Sequence, residues 1–145
     1  MSGLIYLARH GETPLNAAGL LRGRLDPPLT AKGQTQAEAL ADALQGEDIH
    51  LIITSPLQRA VATARPLAER IGVTVEIDQR FNDRDYGVWA GISRDEVEAR
   101  WGSVDNAPGV EPVDAVLGRV LEGLGFGVQG PFRLIMPPEG AKRPI

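Results

Sequence analysis

The sequence predicts an α/β fold, a three-layer α/β/α sandwich around a mostly parallel sheet. Two observations point there. Short apolar runs, Leu4 to Ala8 and Leu51 to Thr54, alternate with longer stretches of helical periodicity. Capping and breaking residues stand at the boundaries between them: Thr30, Ser55 and Ser93 before helical stretches, Gly46 and Gly72 after. The 145 residues suffice for one domain, 1–145, with its own core.

The elements follow in chain order. Leu4 to Ala8 is a buried strand without a polar break. Gly11 to Leu29 is a loop punctuated by Gly19, Gly23, Pro27 and Pro28. Thr30 caps a helix with Ala37, Leu40, Ala41 and Leu44 on one face, ended by Gly46. Leu51 to Thr54 is a second buried strand. Ser55-Pro56-Leu57-Gln58 reads as a capping box, with Ser55 as cap and Pro56 in the first helical position. That helix runs through Val61, Ala64, Ala68 and Ile71 to Gly72, with a kink expected at Pro66.

Val73 to Ile77 alternates apolar and polar residues, as an edge strand with one wet face would. A loop from Asp78 to Gly91 carries Trp89, and Ser93 caps a short helix through Trp101. After a loop from Ala107 to Pro112, Val113 to Leu124 reads as a helix and Phe132 to Met136 as a last strand. The part from about residue 113 is atypical of the pattern before it.

Hydrophobic residues make up 43% and charged residues 23%, an ordinary globular composition. A net charge of -4 argues against nucleic acid as a bulk electrostatic partner, but leaves room for a local basic site. The chain has no cysteine, which excludes disulfide and thiolate chemistry and suits a cytoplasmic protein. No apolar run reaches the length of a membrane span, and no secretory leader is apparent. Two histidines without clustered ligands do not suggest a metal site, and no cofactor is expected. A homodimer is left open.

In open α/β sheets, sites gather at the carboxyl ends of strands. The first strand ends in Arg9, His10, Gly11 and Glu12, with Asn16 close behind; the second ends in Ser55, with Arg59 in the next helical turn. Both arginines then face one crevice near a helix N-terminus, a plausible phosphate cradle. A neutral imidazole beside bound phosphate can attack phosphorus while the cradle holds the charge. Arg22 and Arg24 either guide an anionic substrate or are solvated loop residues.

The stretch LARHGETPLN resembles the signature of the histidine phosphatase superfamily, phosphoglycerate mutase-like branch. The likeness continues over DPPLTAKGQTQAEALA and ITSPLQRAVATA, and more weakly over RFNDRDYGVWAG, covering roughly the first two-thirds of the chain. It implies a phosphoglycerate mutase-like fold, His10 as phospho-acceptor, and Arg9, Asn16 and Arg59 as ligands of the phosphoryl group. It implies a proton donor at the position of Asp83, where the family carries Glu. It also implies a second histidine after a later central strand. No second His-Gly pair occurs here, and His50 precedes its strand, more than about 10 Å from the strand's other end. By this comparison a strand–loop–helix piece of about 30 residues is missing, which would take a central strand from the sheet.

The reading is therefore a phosphatase hydrolysing small phosphomonoesters through a phosphohistidine on His10, with Asp83 as proton donor and Arg9, Asn16, Arg59 and Arg22 binding substrate. One alternative is a catalytically impaired member that binds phosphorylated ligands or a partner. A second is phosphoglycerate mutase-type transfer.

Overall fold

The structure, a computed structural model, describes residues 4–125 and the backbone of residues 132–135. The first strand, β1 (Ile5–Ala8), leads to a single-turn helix, α1 (Pro14–Ala17), and then to α2 (Ala31–Leu44). A strand–helix–strand unit follows: β2 (Ile52–Thr54), α3 (Gln58–Ile71) and β3 (Val75–Ile77). The rest comprises α4 (Arg94–Trp101), α5 (Val113–Leu124) and β4 (Phe132–Ile135), with single 3-10 turns at Gln79–Phe81, Gly87–Trp89 and Val104–Asn106.

The α/β class and the parallel pairing are as expected. β1 runs parallel to β4, with Ile5 opposite Phe132 and Ala8 opposite Ile135. β2 runs parallel to β3, with Ile52 opposite Val75 and Thr54 opposite Ile77. Among the described residues these are two separate pairs, and no ladder joins β1 to β2. Met136, expected at the end of the last strand, lies outside the described residues.

Helices α2 and α3 bridge the two pairs. Ala41, Leu44 and Leu67 form a buried cluster against Tyr6 of β1, Ile52 of β2, Ile49 just before it, Leu40 and Ile71. β1 and β2 therefore each turn one face inward. On the other face Leu7 is 38% exposed and Ile53 37%, so β1 and β2 are half-covered where the sequence suggests full burial. The reason is tertiary: an apolar run records the capacity for burial, not whether a second layer covers it. A second cluster, Leu21, Tyr86, Val97, Val104 and Ala107, packs with Trp89, Ile92, Trp101 and Val110 around α4.

Several caps form as their sequences require. Thr30 accepts the Gly33 amide at 3.0 Å and Ser93 the Glu96 amide at 3.1 Å. Gly72, at φ 71°, closes α3 in the left-handed conformation. The box expected at Ser55 does not form. α3 starts at Gln58, Leu57 is its cap, and no side chain of that residue bonds the turn. Asp26 from the preceding loop takes the Gln58 amide at 2.7 Å instead. Ser55 is buried at the end of β2; its hydroxyl accepts the Leu57 amide at 3.4 Å and its carbonyl accepts the Thr54 hydroxyl at 2.9 Å. α2 likewise ends on Gln45, before Gly46. The turn α1 falls inside the expected loop. Its signal was present: Thr13 caps it, Pro14 starts it, and Asn16 closes a reciprocal box with Thr13.

Candidate active site

The strand β1 delivers Arg9 and His10 into a loop that presses against the first turn of α2. A Cβ on Gly11 would stand 2.5 Å from the Gly33 carbonyl oxygen, and one on Gly33 would stand 2.2 Å from that of Glu12. Only hydrogen at both positions lets the two backbones pass this closely. The loop is then tied down. Thr63 of α3 accepts the Gly11 amide at 2.9 Å, and its hydroxyl donates to the Arg59 carbonyl at 2.6 Å. Gln36 accepts the Glu12 amide at 2.8 Å. The Glu12 carboxylate accepts from the Thr30 hydroxyl at 3.0 Å and pairs with Lys32 at 3.4 Å, a structural role.

His10 Nδ1 lies 2.7 Å from the carbonyl oxygen of Gly11. A carbonyl only accepts, so Nδ1 carries the hydrogen and Nε2 keeps its lone pair. Burial is the main cause that pushes the His10 pKa down, to about 4; the Gly11 hydrogen bond opposes it, and Arg22 and Arg59 add to it. The imidazole is therefore neutral at neutral pH, the form in which nitrogen is a nucleophile.

His10 lines a cavity of about 590 Å³ together with Arg9, Gly11, Asn16, Arg22, Tyr86 and Ser93, among others. Burial, with Arg22 beside it, lowers the Arg9 pKa as well. Asn16 gives its side-chain carbonyl to Thr13, whose amide and hydroxyl donate to it at 3.1 and 2.8 Å. Asn16 itself lines the cavity.

Arg59 is held deeper than its sequence position suggests. Its side chain is 1% exposed. One terminal nitrogen donates to the Leu25 carbonyl at 2.7 Å; the other donates to the Gly23 carbonyl at 2.9 Å and to Asp83 Oδ2 at 3.1 Å. Burial lowers its pKa, and Asp83 opposes that. Asp83 Oδ2 also pairs with Arg22 at 3.6 Å, while Oδ1 accepts the Arg84 amide at 2.8 Å. His10, Arg22, Arg59 and Asp83 thus form one electrostatic group. Arg22 lines the cavity, whereas Arg59 and Asp83 are not among its lining residues and meet it through Arg22. Within the group the Nε atoms of Arg22 and Arg59 are buried and have no hydrogen-bond partner. Two unsatisfied guanidinium donors beside a neutral histidine match what an anion would satisfy.

The helix N-terminus expected near this crevice is occupied, because Asp26 takes the Gln58 amide. His50 is 82% exposed and paired with Asp48 at 3.1 Å, as a surface residue. Thr63 escaped the sequence reading, since nothing local marks a helix threonine as the anchor of a loop 52 residues earlier. Among the described residues no group of His, Cys, Asp and Glu is arranged to hold a metal ion. No helix of the described residues is long and apolar enough to cross a membrane.

Such a site, at the end of a parallel strand and built on Arg-His-Gly-Glu, defines a class. The chain belongs to the histidine phosphatase superfamily (branch 1), whose family model matches residues 5–125. It is 37% identical over 95 residues to a glucosyl-3-phosphoglycerate phosphatase of Mycobacterium tuberculosis, covering 66% of this chain and 43% of that one. It is 38% identical over 107 residues to a 2,3-bisphosphoglycerate-dependent phosphoglycerate mutase of Methylobacterium sp., covering 70% and 51%. The solved structure of Bacillus stearothermophilus YhfR superposes with a TM-score of 0.77 at 28% identity, over 93% of this chain and 74% of that one. The matched region is thus about half the length of these curated relatives.

Proposed function

We propose that the protein is a phosphatase of small phosphomonoesters that works through a phosphohistidine on His10. The observation that carries this is the neutral His10 with its free Nε2, set against Arg22 and Arg59, whose buried Nε donors lack partners. In the first step Nε2 attacks phosphorus, an N–P bond forms and the ester P–O bond breaks. The leaving oxygen takes a proton from Asp83. In the second step water attacks phosphorus, the N–P bond breaks and Asp83 takes a proton from the water. Arg9, Arg22 and Arg59, with the Asn16 amide, hold the equatorial oxygens, where charge is spread in the transition state.

Hydrolysis of p-nitrophenyl phosphate by the wild type and by His10→Ala tests the reading. A wild-type rate well above that of the variant, with acid-labile phosphate trapped on the wild type only, supports it. Equal background rates, with phosphate still bound by the wild type, would favour the second reading: a phosphate-ligand binder without turnover. That reading has its own observation, since the only other histidine is His50, which stands on the surface paired with Asp48.

A further inference from the structure

Asp83 sits on a stretch with little regular structure of its own, between the turn at Gln79–Phe81 and the turn at Gly87–Trp89. Arg24 donates to the Asp83 carbonyl at 3.2 Å, and the other main-chain contacts come from α5 and the residues just before it. Arg119 donates to the carbonyl of Arg80 at 2.8 Å, to that of Asn82 at 2.5 Å and to that of Asp83 at 3.2 Å. The same guanidinium is locked by Glu111 in a two-pronged pair, Nε to Oε1 at 2.9 Å and a terminal nitrogen to Oε2 at 3.0 Å. Glu111 is itself stitched to the stretch. Its Oε2 accepts the Asp85 amide at 2.9 Å, its carbonyl accepts from Arg84 at 2.7 Å, and its amide donates to the Asp85 carbonyl at 2.8 Å.

Neither residue lines the cavity, and Asp83 meets it only through its pair with Arg22; together Arg119 and Glu111 fix the main chain on both sides of Asp83. The Asp83 carboxylate is held at Oδ2 by Arg59 and Arg22 and at Oδ1 by the neighbouring Arg84 amide, and that last hold ties its direction to this main chain. We propose that Arg119, oriented by Glu111, is a positioning residue for Asp83: it aims the carboxyl at the leaving oxygen by clamping the carbonyls of residues 80, 82 and 83. This rests on the hydrolase reading and on Asp83 as its proton donor. The clamp needs a planar fork with several donors. A lysine ammonium, a compact charge, cannot reach three carbonyls and chelate a carboxylate at once. The pair is itself robust: Arg119 is the main cause that holds the Glu111 carboxyl down at about 2, so it stays ionised across the working range.

The test compares two esters. Phenol is a far weaker acid than p-nitrophenol, so phenyl phosphate depends on proton donation and p-nitrophenyl phosphate depends on it much less. The quantity to measure is kcat/KM, which reports attack on the first ester bond, for wild type, Arg119→Lys, Glu111→Gln, Asp83→Asn and Arg119→Lys/Asp83→Asn, each below its own Tm. Arg119→Lys is expected to lower phenyl phosphate hydrolysis by about 10²-fold, the scale of a 1 Å misplacement, and p-nitrophenyl phosphate hydrolysis by less than about tenfold. In the Asp83→Asn background that selective loss should vanish. Glu111→Gln keeps the side-chain volume and should show the same selectivity at smaller amplitude; it decides the matter if Arg119→Lys does not fold. Equal losses on both esters, or a selective loss that persists in Asp83→Asn, would overturn the positioning role while leaving the hydrolase reading intact. A wild type inactive on both esters overturns the hydrolase reading and the positioning role with it.

Discussion

At the scale of single residues the site is governed by what burial does to His10. An ordinary histidine titrates near 6.5; burial first, then Arg22 and Arg59, brings this one to about 4. Two outcomes follow. At pH 5.5, where a free imidazole is mostly protonated, the rate constant for turnover should keep at least about half of its neutral value, measured from pH 3.5 to 8 with p-nitrophenyl phosphate. Stability follows the same titration. Between pH 6.5 and about 4 the unfolded chain binds a proton that the folded chain excludes, so stability is full above 6.5 and falls as pH drops towards 4. His10→Gln should remove that part of the acid slope, seen as a smaller change in urea midpoint between pH 7 and 4.5. The identity of His10 was legible in Arg-His-Gly-Glu. The depth of Arg59 was not, because its partners at Leu25, Gly23 and Asp83 come from loops 34, 36 and 24 residues away. Arg22 was read evenly as guide or solvated loop; its place beside Asp83 and His10 depends on how that loop folds back.

At the scale of elements, local chemistry predicts the starts of α2 and α4, but not of α1, whose local cap Thr13 lies inside an expected loop. Thr30 and Ser93 cap as read, and α5 has the expected bounds. The start of α3 failed because its cap is borrowed: Asp26, not Ser55, takes the Gln58 amide and also accepts the Gln58 side chain on its own carbonyl at 2.5 Å. Asp26→Ala should therefore cost about 1 kcal/mol, as an N-cap does, whereas Ser55→Ala should cost less by the same urea assay. The opposite ranking would restore Ser55 as the cap. The contact between the His10 loop and α2 makes a sharper forecast. A methyl on Gly33 meets main-chain oxygen, which cannot swing aside as a side chain can. Gly33→Ala should destabilise by about 1–3 kcal/mol, the range for overpacking. It should also lower kcat, because the displaced backbone is that of Glu12, two residues from His10.

At the scale of the whole molecule, the pairing of strands was legible in alternating apolar runs and helices, and the division of the sheet was not. Among the described residues the strands stand in two pairs. The two pairs are joined through α2 and α3, whose Ala41, Leu44 and Leu67 touch Tyr6 on one side and Ile52 on the other. A molecule built this way concentrates its stability in that helix pair, since hydrogen bonds do not couple β1 to β2 among the described residues. The site straddles the same divide: His10 follows β1, while Arg59 and Thr63 ride on α3. Leu67→Ala, at a site 5% exposed, should thus cost about 2–5 kcal/mol and weaken phosphate binding in step with unfolding. Leu7→Ala and Ile53→Ala, on the uncovered faces of the strands, should cost under about 1 kcal/mol each and leave phosphate binding unchanged. Urea midpoints paired with phosphate titration calorimetry measure both. If Leu7→Ala proved as damaging as Leu67→Ala, the helix pair would not be the joint, and a covering layer over the outer faces would have to carry the coupling instead.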